Sequence, residues 1–161
     1  MKHSPILAVI SLVLILASLV CLCGCKTGEL SQVSKAVGVD VSGGTIETKK
    51  DTHGGFLGDG ATYYRISFED DSCLNEIRQS REWSSLPLTE NLQECLTGHA
   101  TLWGELPVPE ITNGYYCFID RHSEATDRKD DTDLHSRASY NYTLALYDAD
   151  TDTMYYLRID T

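Results

Sequence analysis

Two alternating runs near the carboxyl end, Tyr140–Asp148 and Thr153–Asp160, flank the short segment Ala149-Asp150-Thr151-Asp152. Tyrosine, leucine and threonine at period two, bounded by an aspartate-rich turn, specify a β-hairpin. With Asp148 opposite Thr153, Leu146 meets Tyr155, Leu144 meets Leu157 and Tyr142 meets Ile159, all on one face. The other face pairs Tyr147 with Met154, Ala145 with Tyr156, Thr143 with Arg158 and Asn141 with Asp160. A slip of one residue would mix the two sets, so the register is well determined. The first face is expected to be core. The second is mixed, so its Tyr147 and Tyr156 are candidates for recognition and Thr143→Asp is expected to be milder than Leu144→Asp.

Upstream, Ala61–Phe68 reads as a strand, with Tyr64, Ile66 and Phe68 opposed to Tyr63, Arg65 and Ser67. Thr45–Thr48 is a short strand, and Gly114–Asp120, apolar on both faces, is expected to be a central one. Leu30, Val33 and Val37 recur at helical spacing before Gly38, which suits a carboxyl-terminal cap. Asp70 and Asp71 open a helix whose stripe is Cys73, Leu74 and Ile77, with Asp71 as its cap. Thr89 caps another through Leu96, burying Leu92 and Cys95, with Gly98 expected to stop it. The fold class is therefore α+β: a mostly antiparallel sheet of four to five strands, with two or three short helices on one face.

The amino-terminal segment has a different character. Lys2 and His3 precede an almost wholly apolar run, Ile6–Leu22. Its length nearly suffices for a membrane-spanning helix, and an uncleaved anchor is the alternative reading. Leu22-Cys23-Gly24-Cys25 favours a lipoprotein signal. An aliphatic residue stands three before the cysteine and a small residue just before it, as the peptidase requires. Cys21 and Cys23 fail this test, because Val20 and Leu22 stand where the small residue belongs. The expected organisation is a signal peptide over 1–24, lipid attachment at Cys25 with a tether over 25–44, and a domain over 45–161. Diacylglycerol on Cys25 would place the domain on the extracytoplasmic face of the cell membrane, each buried methylene contributing about 0.8 kcal/mol.

Beyond residue 24 the chain has 12 basic against 24 acidic side chains, a formal charge of −12. That excess argues against nucleic acid as a partner and leaves two readings, a cationic protein or peptide as partner or simply good solubility. Cys73, Cys95 and Cys117 remain after the anchor cysteine, an odd number that cannot pair completely within the chain. Burial as small hydrophobes is the leading reading, and one disulfide with one free thiol is the other. Their spacing is not that of a zinc site.

Motifs for chemistry are sparse, and none indicates a cofactor. Asp51–Gly60, DTHGGFLGDG, lacks the lysine and spacing of a phosphate loop. Asp148, Asp150 and Asp152 resemble the start of a calcium loop, but Thr153 and Ile159 replace its glycine and glutamate, so a turn is expected. Asp127, Asp130, Asp131 and Asp133 read as a solvated loop, with a weak calcium site as the sharper alternative. Two Asp-x-His triplets stand out, Asp51-Thr52-His53 and Asp120-Arg121-His122. Residues at i and i+2 of a strand face the same way, so Asp120 and His122 could orient a general base or ligate a metal. The structural alternative is a contact that holds a loop.

The segments HGGFLGDGATYYRISF, EWSSLPLTENLQ, NGYYCFIDRH and YNYTLALYDADTDTMYYLRIDT resemble a group of small lipoproteins and membrane-anchored proteins of Clostridia-type bacteria. The resemblance covers most of the chain after Cys25. It implies a shared fold and export, and carries no activity or site residues with it. A non-catalytic binding domain at the cell surface is the leading functional expectation. The alternatives are a protective protein that captures a cationic toxin or lysozyme, and a hydrolase using Asp120 and His122.

Overall fold

The computed structural model describes residues 28–54, 58–102 and 107–161. The apolar run, the signal and Cys25 lie outside the described residues. Helix α1 (28–37) leads into β1 (Thr45–Asp51) and β2 (Gly60–Ser67). Then follow α2 (Ser72–Gln79), the two-residue β3 (Ser84–Ser85), α3 (Glu90–Leu102) and β4 (Gly114–Asp120). A 3₁₀ turn at Leu134–Ser136 precedes β5 (Asn141–Asp148) and β6 (Thr153–Asp160).

The α+β class holds, with six strands rather than four to five, in the order β1-β2-β6-β5-β4-β3. Every neighbouring pair is antiparallel. After β2 the chain crosses to the far edge at β3 and meanders back, so that β6 docks beside β2. The β5–β6 register is the one the hairpin pattern specifies, from Asp148↔Thr153 to Asn141↔Asp160. Gly114–Asp120 lies one place from the edge, paired on its outer side only at Tyr115 and Tyr116.

The helices do not share one face. α1 and α2 bury Leu30, Val33, Val37, Leu74 and Ile77 against Tyr64, Ile66, Ala145, Tyr147, Met154 and Tyr156. On the opposite face, Leu92 and Cys95 of α3 pack with Leu134 against Tyr63, Phe118, Leu144, Leu146, Leu157 and Ile159. Both faces of β5 and β6 are apolar enough to need a cover, and each receives one. The mixed face of the hairpin is therefore interior: Tyr147 is fully buried and Tyr156 is 4% exposed. Tyr147 offers no recognition surface, and Thr143 is about as buried as its neighbour Leu144.

Residues expected to be tether belong to the folded unit. Leu30, Val33, Val37, Val39 and Val41 are all core. Gly38 ends α1 with φ +73° and its N–H donates to the Ser34 carbonyl at 2.9 Å, a left-handed cap that glycine adopts without Cβ strain. Thr89 caps α3 by accepting from Leu92 N–H at 3.2 Å. α3 does not stop at Gly98. That glycine has no positive φ, and the helix runs through it to Leu102. At α2 the aspartate that meets the first turn is Asp70, whose Oδ1 accepts from Ser72 N–H at 2.9 Å; Asp71 makes no side-chain cap bond.

Candidate functional site

The ends of β1, β6 and β4 and the start of β2 lie along one edge of the sheet, since Asp51 pairs near Thr62, Gly60 with Asp160, and Asp120 with Tyr142. That edge gathers both Asp-x-His triplets, but they do different things.

Around the first triplet the groups converge. His53 Nδ1 lies 2.8 Å from Asp51 Oδ1, and His53 Nε2 lies 3.2 Å from Asp160 Oδ2. Asp51 Oδ1 also accepts from the His53 backbone N–H at 3.0 Å. Asp160 in turn receives Arg121 Nη1 and Arg158 Nε, each at 2.7 Å. Burial raises the Asp160 carboxyl, but the guanidinium bonds from Arg158 and Arg121 outweigh it and hold it at about 2. The backbone and side-chain bonds from His53 lower Asp51 below the ordinary carboxylate value. Gly60 is required beside this cluster, because a Cβ there would stand 2.5 Å from His53 Cα.

These residues close one end of a cavity of about 510 Å³ between α1 and the sheet. Gln32, Val33 and Ala36 form its roof, and Thr62, Tyr64, Tyr156 and Arg158 its floor. The Tyr64 and Tyr156 rings stack with centroids 5.8 Å apart. Lys49 Nζ stands 5.9 Å from the Tyr64 ring centre and pairs with Glu29 of α1.

The second triplet is divided by the strand alternation. Asp120 is 1% exposed and faces the α3 layer, where it pairs with Arg137 and accepts from the His122 backbone N–H at 2.9 Å. Its carboxylate does not bond the His122 ring among the described residues. That ring lies instead with Nε2 at 3.1 Å from Ser139 Oγ, and its Nδ1 accepts from Glu124 N–H at 3.3 Å. Arg121, the middle residue, points to the α1 layer. It donates to Thr143 Oγ1, to Asp160 and to the carbonyls of Tyr142 and Ile159.

Sequence reasoning singled out Asp51, His53, Asp120 and His122, and missed Arg121, Arg158, Asp160, Arg137 and Ser139. For Arg158 and Asp160 a signal existed. The hairpin register puts both on one face at its open end, beside Thr143 and Asn141.

The remaining motifs serve structure. Asp148 Oδ1 accepts from Asp150 N–H at 3.0 Å, and Asp152, with φ +46°, accepts from the Tyr147 hydroxyl, so the hairpin aspartates build the turn. Asp127 and Asp130 accept from the N–H groups of Lys129 and Thr132. Asp131 departs from the solvated loop expected: it is buried and bonded to Thr89. Among the described residues no group of three or more His, Cys, Asp or Glu is placed to hold a metal ion. Cys73, Cys95 and Cys117 are free and buried, their thiols pushed up by burial to about 12, 11 and 12. No described helix is long and apolar enough to cross a membrane.

Comparison with family models, with curated proteins and with solved structures finds no match to this chain.

Proposed function

We propose that this chain is a lipid-anchored extracytoplasmic protein whose domain binds a small polar ligand, without chemistry, in the cavity under α1. The anchor rests on Leu22-Cys23-Gly24-Cys25 behind its apolar run. The observation that carries the binding reading is the mutual engagement of His53 and Asp160 at the closed end of that cavity. His53 has a carboxylate at each ring nitrogen, and Asp160 has two guanidinium partners. A general base needs a free acceptor nitrogen within reach of a substrate proton, and this ring has both nitrogens engaged. Groups that hold one another rigidly suit recognition in a preformed pocket.

The anchor is tested by mass spectrometry of the membrane fraction. The mature chain should begin at Cys25 with acyl mass on that residue, and Cys25→Ala should leave an unprocessed precursor. Acyl mass on another cysteine would refute the assignment. A second reading, capture of a cationic protein or peptide, is favoured by the exposed carboxylates of Asp127, Asp130 and Asp133.

A further inference from the structure

We propose that the cavity under α1 is a site for a small zwitterion of the α-amino acid class, its carboxylate held by Arg158 and its ammonium by Asp51. This rests on the reading of the domain as a ligand binder and names the ligand. The sheet register places the two groups. Asp51 pairs with Thr62 and Thr62 with Arg158, so the three form one row across β1, β2 and β6. Adjacent strands stand about 4.8 Å apart, which separates the Asp51 and Arg158 backbones by about 10 Å with Thr62 between them. All three line the cavity.

Each end of the row keeps bonding capacity. Asp51 uses Oδ1 toward His53, leaving Oδ2 without a hydrogen bond among the described residues. Arg158 uses Nε and Nη2 toward Asp160, leaving Nη1. Asp160 does not compete for the ligand's ammonium, since Arg121, Arg158 and His53 already occupy its oxygens. What the row presents is one carboxylate and one guanidinium facing a common space. A simple anion would be repelled by Asp51 and by the acidic chain as a whole, and a simple cation would face Arg158. A dipolar molecule satisfies both. Space beneath Gln32 and Ala36 remains for its side chain.

The test is calorimetric titration of the full chain in detergent micelles. The titrants are the twenty L-amino acids one at a time, their N-acetyl and decarboxylated forms, glucose and N-acetylglucosamine. At least one amino acid should bind, and capping or removing either charge should weaken it tenfold or more. Asp51→Asn and Arg158→Gln should each do the same. Gln32→Trp, at an exposed roof position, should block the cavity with every charged group in place and the circular dichroism spectrum unchanged. Equal binding of the N-acetyl form would overturn the proposal. A sugar that binds, survives both charge substitutions and is lost on Gln32→Trp would overturn it while keeping the pocket as a binding site. Absence of binding by either class would remove both.

Discussion

Asp120, a weak catalytic candidate in the sequence, is buried in an ion pair with Arg137. Its side chain is fully buried, and its partner Arg137 is 9% exposed. Removing one member of such a pair strands the other charge, which costs about 3–5 kcal/mol. Arg137→Ala should therefore lower unfolding stability in urea by about that amount. His122→Ala removes ordinary hydrogen bonds and should cost only about 1 kcal/mol. Asp160 makes a different residue-level prediction. Its folded value of about 2 lies below its ordinary 3.8. Its contribution is thus fully present above about pH 4 and is lost as pH falls toward 2. Asp51, also lowered, acts in the same direction. Thermal melts should show stability falling through that window, with a shallower fall in Asp160→Asn.

At the scale of elements, β5 shows how a strand pattern understates burial. Alternation separates Leu144 and Leu146 from Thr143, Ala145 and Tyr147, and a mixed face suggests solvent. Yet α1 and α2 cover that face, and Ala145 is as fully buried as Leu144. Ala145 packs in the apolar cluster around Cys117 and Tyr156. An aspartate there would be a buried charge in an apolar setting, which costs several kcal/mol or forces protonation. Ala145→Asp should unfold the domain as thoroughly as Leu144→Asp, judged by circular dichroism. Thr143→Asp is the milder change for a different reason than exposure. Arg121 Nε already donates to Thr143 Oγ1 at 3.2 Å, so an introduced carboxylate finds a guanidinium.

For the whole molecule, α1 decides where the domain starts. The segment 28–41 buries Leu30, Val33, Val37, Val39 and Val41. At about 1.5–3 kcal/mol for each buried side chain, its packing rivals the entire margin of a small domain, about 5–15 kcal/mol. A chain beginning at residue 45 should be unfolded or aggregated, whereas one beginning at 28 should melt cooperatively. The −12 charge beyond residue 24 is also a property of the domain as a whole. If it steers a cationic partner such as lysozyme, association should slow steeply as the screening length falls from about 30 Å to 10 Å. Asparagine at Asp127, Asp130 and Asp133 should slow association without unfolding the loop. A binding rate indifferent to both would remove the charge-capture reading.

The sequence by itself determined the local pieces: the β5–β6 register, the α1 stripe with its Gly38 cap, the Thr89 cap and the aspartate turn. These follow from periodicity and from side chains bonding their own neighbourhood, so nearby residues suffice to specify them. Tertiary structure decided which face each helix covers, because a stripe of leucine and valine fits either side of a sheet with two apolar faces. It also decided the site. His53 and Asp160 lie 107 residues apart and meet because β6 returns across the sheet to dock beside β2. No spacing along the chain encodes that meeting. It arises from the order in which the strands pair.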